Sequence, residues 1–125
     1  SAPLVIHSAA VGDYEADASA GKIASGAPEL ILRLRPAPKI LDQIRQWSPD
    51  CVLFSFKAAA PETTPMELEE IGRRQLRRSG SNFVFGNVIG SIHSEVMLIG
   101  ESATAQYSSR SDGLAALIRA AEDAL

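Results

Sequence analysis

The sequence lacks most of the features that announce a reactive centre by themselves. A single cysteine, Cys51, stands in the apolar run CVLFSF, so no internal disulfide can form and buried packing is its expected role. The two histidines, His7 and His93, have no cysteine or second histidine at ligand spacing, so neither forms a recognisable zinc site and no protein-held metal is assigned. No Gly-x-Gly-x-x-Gly follows a strand-like run, which makes a generic dinucleotide-binding domain a poor fit. No apolar run approaches a membrane span, and the N-terminus has no signal-peptide pattern. With one cysteine, that suits a reducing cytoplasm and no membrane partner. Nor is there an excess of positive charge: the net charge of -3 argues against a nucleic-acid partner bound by broad phosphate neutralisation, while leaving room for a local basic patch at a nucleotide.

What is present is an ordinary globular composition, 46% hydrophobic and 22% charged, in 125 residues, enough for one domain with a real core and too little for two. The chain begins almost directly on a strand and without methionine, as a fragment would. Leu4, Val5 and Ile6 form a short apolar run, and Ser8, Ala9 and Ala10 follow where that strand would leave a sheet. In open α/β sheets ligands bind outside the carboxyl ends of the strands, where small residues admit a ligand to the backbone. Asp13 could accept hydrogen bonds from such a ligand and Lys22 could meet an anion. On pattern alone the plainer readings are favoured: a tight turn, a turn or cap aspartate, and a solvated lysine.

Further along, residues 15–28 turn to Ala, Ser, Gly, Asp and Glu with no sustained apolar period, a longer excursion than a compact domain normally carries. Leu30, Leu32 and Leu34 alternate with Ile31, Arg33 and Arg35, which predicts a strand with one face on the core. Pro36-Ala37-Pro38 is placed to open a helix with Ile40, Leu41, Ile44 and Trp47 on one apolar stripe, Trp47 being taken as core. Residues 51–56 read as a buried central strand ending in Phe56, Lys57 and alanines. Thr64-Pro65-Met66-Glu67 is a capping box with proline at the first helical position. The helix it opens has Glu67, Glu69 and Glu70 early and Arg73, Arg74, Arg77 and Arg78 late, an arrangement that complements the helix dipole and gives i,i+4 pairs. Residues 83–86 predict another buried strand ending at Asn87, a common turn residue. A hairpin about Gly100-Glu101-Ser102 follows, then a helix capped by Ser111 or Asp112 with Leu114, Leu117, Ile118, Ala121 and Leu125 on one face. The alternation gives an α/β, Rossmann-like, mostly parallel sheet with helices on both faces and an antiparallel edge hairpin.

Taken in order, SAAVGDY, GKI, APKIL, FSFKA, a basic helix and FVFGNV resemble the C-terminal half of phosphopantothenoylcysteine synthetase, the phosphopantothenate–cysteine ligase of coenzyme A biosynthesis, with order and spacing matching over nearly the whole chain. The resemblance implies a single α/β domain over 1–125, half of a larger ligase domain, with a flap and dimerisation arm over 15–35 and a homodimeric assembly. It implies 4′-phosphopantothenate, L-cysteine and a nucleoside triphosphate as partners, and Mg²⁺ with ATP or CTP as co-substrate. By motif position, Lys22 is the catalytic lysine. Ser8, Ala9, Asp13, Lys22, Pro38, Lys39, Ile40, Leu41, Phe56, Arg74 and Arg78 meet the nucleotide, and Ala10, Asp13 and Asn87 the other substrate. For Phe56, simple closure of the core is an equal alternative. The sequence also departs from the pattern. The family's upstream glycine-rich loop, arginine and asparagine are not found, and the acidic residue usual after the alanines is replaced by Pro61-Glu62. The bacterial lysines of the basic helix fall on Gln75 and Ser79, and PKIL and SFK have a eukaryotic look. A non-catalytic assembly module or a nucleotide sensor is the alternative.

Overall fold

The computed structural model describes residues 3–8, 14–16, 33–36, 39–90 and 95–125. In chain order its elements are β1 (Leu4–His7), β2 (Tyr14–Ala16), β3 (Leu34–Pro36), α1 (Leu41–Trp47), β4 (Val52–Ala59), α2 (Pro65–Ser79), β5 (Phe83–Val88), β6 (Val96–Gly100), β7 (Thr104–Tyr107) and α3 (Arg110–Ala124). The apolar runs are too short for helices and bounded by turn residues, and they become the centre of a five-stranded sheet of order β1-β4-β5-β6-β7. β1, β4 and β5 are parallel, with Leu4 beside Val52 and Phe54 beside Phe83; β6 and β7 add antiparallel. This is the α/β sheet with a parallel core and antiparallel edge that the alternation predicts.

Residues 10–40 form a unit of their own, in which Tyr14–Ala16 pairs antiparallel with Leu34–Pro36. Pro36 therefore ends a strand and does not open a helix, which starts five residues later at Leu41. Residues 17–32, with the predicted strand's Leu30 to Leu32 and most of the predicted flap, lie outside the described residues.

Side chains on β4 alternate between two cores. Leu53 packs with Leu41, Ile44, Cys51 and Val5 under α1, and Ala59 with Leu68, Leu76, Val84, Met97 and Ile99 under α2. Phe54 and Phe85 point the other way, among Val96, Leu98, Ala116 and Leu117 under α3, with Phe54 stacked on Phe83 at 4.8 Å. Each such fully buried side chain contributes about 1.5–3 kcal/mol. Cys51 is buried, as its surroundings predict.

The helices face the sheet through smaller residues than their bulky ones suggest. In α1 only Leu41 and Ile44 are buried apolar residues, Ser48 continues the stripe, and Trp47 is 61% exposed. Trp47 sits about 100° round the helix from Ser48, so it is not a core residue. In α3 the buried line is Gly113, Ala116, Leu117 and Ala121, leaving Ile118 and Leu125 exposed. A Cβ at Gly113 would overlap Val96 and crowd Phe85, so the glycine is what lets α3 approach so closely. The cap of α3 is Ser109, not Ser111 or Asp112; its hydroxyl accepts from the Asp112 N–H at 3.1 Å.

α2 follows its predicted chemistry. The Thr64 hydroxyl accepts from Glu67 N–H, the Glu67 carboxylate accepts from Thr64 N–H, and Gly80 closes the helix at φ 70°. The Glu69–Arg73 and Glu70–Arg74 pairs form at 3.2 and 3.5 Å.

Candidate functional site

Parallel strands bring their carboxyl ends to one edge of the sheet, and register decides which residues meet there. His7 stands level with Ser55, so Ser8 follows at the level of Phe56, and Asn87 pairs with Ala58 on the next strand. Ser8, just past β1, is thus level with Phe56 on β4, and Asn87 stands two residues further along on β5, at the same edge of the sheet. Ser8 is exposed, and Phe56 and Asn87 are half-buried. Phe56 leans on Phe85 at 5.1 Å with its ring tilted 36°, and Arg110 lies over the far Phe85 ring, so one side of Phe56 closes the core while the rest reaches the edge. The Asn87 side chain has no hydrogen-bond partner among the described residues.

β4 runs past the end of β1. The Val52 N–H donates to Pro3 while Leu53 exchanges hydrogen bonds with Asn82, so even-numbered peptide groups of β4 point to β1 and odd-numbered ones to β5. The Phe56 carbonyl therefore faces the place where β1 has stopped, and it is met by a side chain instead: Gln75 Nε2 donates to it at 3.1 Å. Gln75 also donates to Ser55 Oγ at 3.1 Å, and Ser55, Ser81 and Ser79 continue a buried chain of hydroxyls at 2.7 and 2.6 Å. Ser79 closes it by donating to the Gln75 carbonyl at 2.7 Å. The two positions that correspond to lysines in the bacterial pattern are thus inside the packing, 6% and 4% exposed. No buried side-chain nitrogen or oxygen among the described residues lacks a partner.

The remaining site expectations separate. Arg74 pairs with Glu70, and Arg78 pairs with Asp42 at 3.0 Å. Arg78 is on the last turn of α2, where the chain is about to enter β5, whereas Asn87 stands where β5 ends. The side chain of Leu41 is committed to the core under α1. Lys39 and Ile40 are exposed and belong to the 10–40 unit. Ala9, Ala10, Asp13, Lys22 and Pro38 lie outside the described residues.

One open cleft among the described residues lies elsewhere. A cleft of about 600 Å³ lies where β5 begins, lined by Leu76, Arg77, Asn82, Phe83, Glu101 and Ser102 among others. Its walls are the helix end and the β6–β7 turn, and none of the strand-end residues contributes. Two further observations limit the chemistry. No group of three or more His, Cys, Asp or Glu converges among the described residues. No helix among the described residues is long and apolar enough to cross a membrane.

The sequence matches the model of the DNA/pantothenate metabolism flavoprotein C-terminal domain over residues 1–114. The chain belongs to that family. Among curated proteins it is 39% identical over 101 residues to the coenzyme A biosynthesis bifunctional protein CoaBC of Thermococcus kodakarensis, covering 78% of this chain and 25% of that protein. To the protein of the same name from Methanocaldococcus jannaschii it is 32% identical over 84 residues, covering 67% and 20%. The chain thus spans a quarter or less of these relatives' length. Among solved structures, the DNA/pantothenate metabolism flavoprotein from Streptococcus pneumoniae superposes with a TM-score of 0.83 at 21% identity, over 97% of this chain and 63% of that one. A Cab2 mutant in complex with phosphopantothenate-cysteine superposes at 0.60 and 19% identity, over 75% and 33%. At such identities the superpositions establish the fold. The resemblance read from the motifs and the family found by comparison agree, and the relatives are proteins of coenzyme A biosynthesis.

Proposed function

We propose that this domain contributes to a ligase that joins 4′-phosphopantothenate to L-cysteine through an acyl-nucleotidylate. The observation that carries the reading furthest is the 39% identity to a coenzyme A biosynthesis bifunctional protein. It is supported by the meeting of Ser8, Phe56 and Asn87 at the carboxyl edge of the parallel strands, where α/β sheets receive ligands. In this reading the substrate carboxylate attacks the α-phosphorus of the nucleotide, forming a P–O bond as pyrophosphate leaves. The cysteine amine then attacks the acyl carbon, losing a proton as the nucleoside monophosphate departs, and the amide remains. No residue of the chain forms a covalent bond to substrate.

Bringing a carboxylate to a polyphosphate gathers negative charge, and the chain's part is to offset it and exclude water from the acyl intermediate. Lys22 is assigned the charge by its place in the GKI motif, with the nucleotide entering as its magnesium salt, ATP or CTP. Ser8, Ala9, Asp13, Lys39, Ile40 and Phe56 border the nucleotide, and Ala10 and Asn87 the other substrate. Arg74 serves the triphosphate only by releasing Glu70, whereas Arg78, paired with Asp42 where β5 begins, is left out of the site. The active assembly is a homodimer in the cytoplasm.

Pyrophosphate release by the full-length protein tests this, with 4′-phosphopantothenate and either ATP or CTP, with and without cysteine. Release that requires phosphopantothenate is expected. Lys22→Gln should slow it about a hundredfold or more, on the order of 3 kcal/mol, with nucleotide still bound. Release from neither nucleotide would reduce the domain to a binding or assembly module.

A further inference from the structure

Lys57 is a half-buried lysine on β4 whose side chain has no hydrogen bond or ion pair among the described residues. That sets it apart from Arg45, Arg73, Arg74 and Arg78 on the adjoining helices; Arg77 and Arg119 also have no such partner among the described residues, but both are exposed. Arg45 donates to three carbonyls and to Asn82 Oδ1, Arg73 to Glu69, Thr104 and a carbonyl, and Arg74 and Arg78 each hold a carboxylate. A lysine can bury its four-carbon stem against a sheet and keep its ammonium at the surface, where a cation with no counter-charge is open to an anion. By alternation along β4, Lys57 shares the face of Leu53, Ser55 and Ala59, opposite to Phe56. It stands level with Gly86, two residues beyond Ser55, the last residue of β4 that pairs with β1.

The nearby start of α2 does not compete for an anion. Its first-turn N–H of Glu67 is bonded to the Thr64 hydroxyl, and the Glu67 carboxylate is folded back onto Thr64, so that helix end already carries its own negative charge. The free positive charge at this end of β4 is therefore a side chain and not a helix terminus.

We propose that Lys57 is the counter-charge for a phosphate group bound at the carboxyl end of β4, supplied by the nucleotide or by the phosphorylated co-substrate. The proposal rests on the ligase reading for the identity of its ligands and adds to it a second cation besides Lys22. Lys57 touches the phosphate and is a binding residue; it is not assigned a proton or a bond.

Calorimetric affinities of the full-length protein test it, with MgATP, MgCTP, 4′-phosphopantothenate and unphosphorylated pantothenate, for the native protein, Lys57→Gln, Lys57→Met and Lys57→Arg. The expected result is about tenfold or greater weakening of one phosphate-bearing ligand in both neutral variants, with Lys57→Arg retaining most of the affinity. Which ligand weakens names the source of the phosphate, and its native affinity should fall with added salt more steeply than that of the variants. Thermal midpoints of the neutral variants should equal or exceed the native one, since an unpaired charge is removed. Native affinities unchanged in all three variants would overturn the assignment to Lys57 while leaving the ligase reading intact. No binding of any phosphate ligand by the native protein would overturn that reading and this proposal with it. A neutral variant that loses stability and affinity for every ligand, pantothenate included, would show Lys57 to be structural and would also overturn it.

Discussion

Where β4 and β5 begin, side chains knit the backbone together; where they end, the polar side chains of Asn87 and Lys57 have no partner among the described residues. At the first edge Arg45 alone donates to the carbonyls of Pro49, Cys51 and Gly80 at 3.0, 2.7 and 2.6 Å and to Asn82 Oδ1 at 3.2 Å. Asn82 in turn accepts from Leu53 N–H, and Arg78 ties α2 to α1 through Asp42. At the second edge Gln75 holds the Phe56 carbonyl, but Asn87 and Lys57 have no partner among the described residues. Partly buried groups that the protein leaves unsatisfied are groups a ligand can satisfy. In the proposed reading the difference separates the stability of this sheet from its function along the strand axis, and the cleft of about 600 Å³ lies at the knitted edge.

Three changes would sharpen or break that separation. The largest effect is expected from Arg45→Ala, which leaves three carbonyls and Asn82 short of a charged donor. About 2–3 kcal/mol of stability should be lost, read from the urea midpoint, with ligand affinity unchanged within twofold. A large loss of affinity without a loss of stability would move function to the wrong edge. Next is Asn87→Ala. It should weaken 4′-phosphopantothenate about tenfold while changing stability by less than about 0.5 kcal/mol, because no protein hydrogen bond is broken. The smallest effect concerns the α2 cap. The Thr64 hydroxyl, and after it the Thr64 N–H, hold the exposed Glu67 carboxyl below the usual glutamate range. Its contribution is therefore present above the ordinary glutamate value and lost as pH falls through the lowered one. Thr64→Ala should flatten that part of the acid stability profile, and an unchanged profile would remove the cap from the account.

The fold was largely legible because short apolar runs, a capping box and proline at its first position are local signals, and β4, α2 and β5 carry them plainly. Legibility failed where a small residue, not a large one, met the sheet. Reading Trp47 and Ile118 as core followed their hydrophobicity, yet Ser48 and Gly113 take the inward places, since close approach of a helix requires a short side chain there. Likewise Ser109 was hidden as a cap by two other plausible caps downstream. The buried Gln75–Ser55–Ser81–Ser79 chain joins residues up to 26 apart in sequence, and no local pattern marks it. Of the site, Phe56 and Asn87 were recognisable by motif, and strand register puts them on one edge. Lys57 was visible only as the lysine of FSFK; that its side chain has no partner among the described residues is a three-dimensional fact.

Hydrogen–deuterium exchange on the full-length protein, with and without 4′-phosphopantothenate and the magnesium nucleotide, compares the two edges in one measurement. The account predicts ligand-dependent protection at residues 7–8, 56–60 and 86–90, with residues 45–51, 76–83 and 100–104 unchanged. Protection confined to residues 76–83 and 100–104, around the cleft at the other edge, would contradict it.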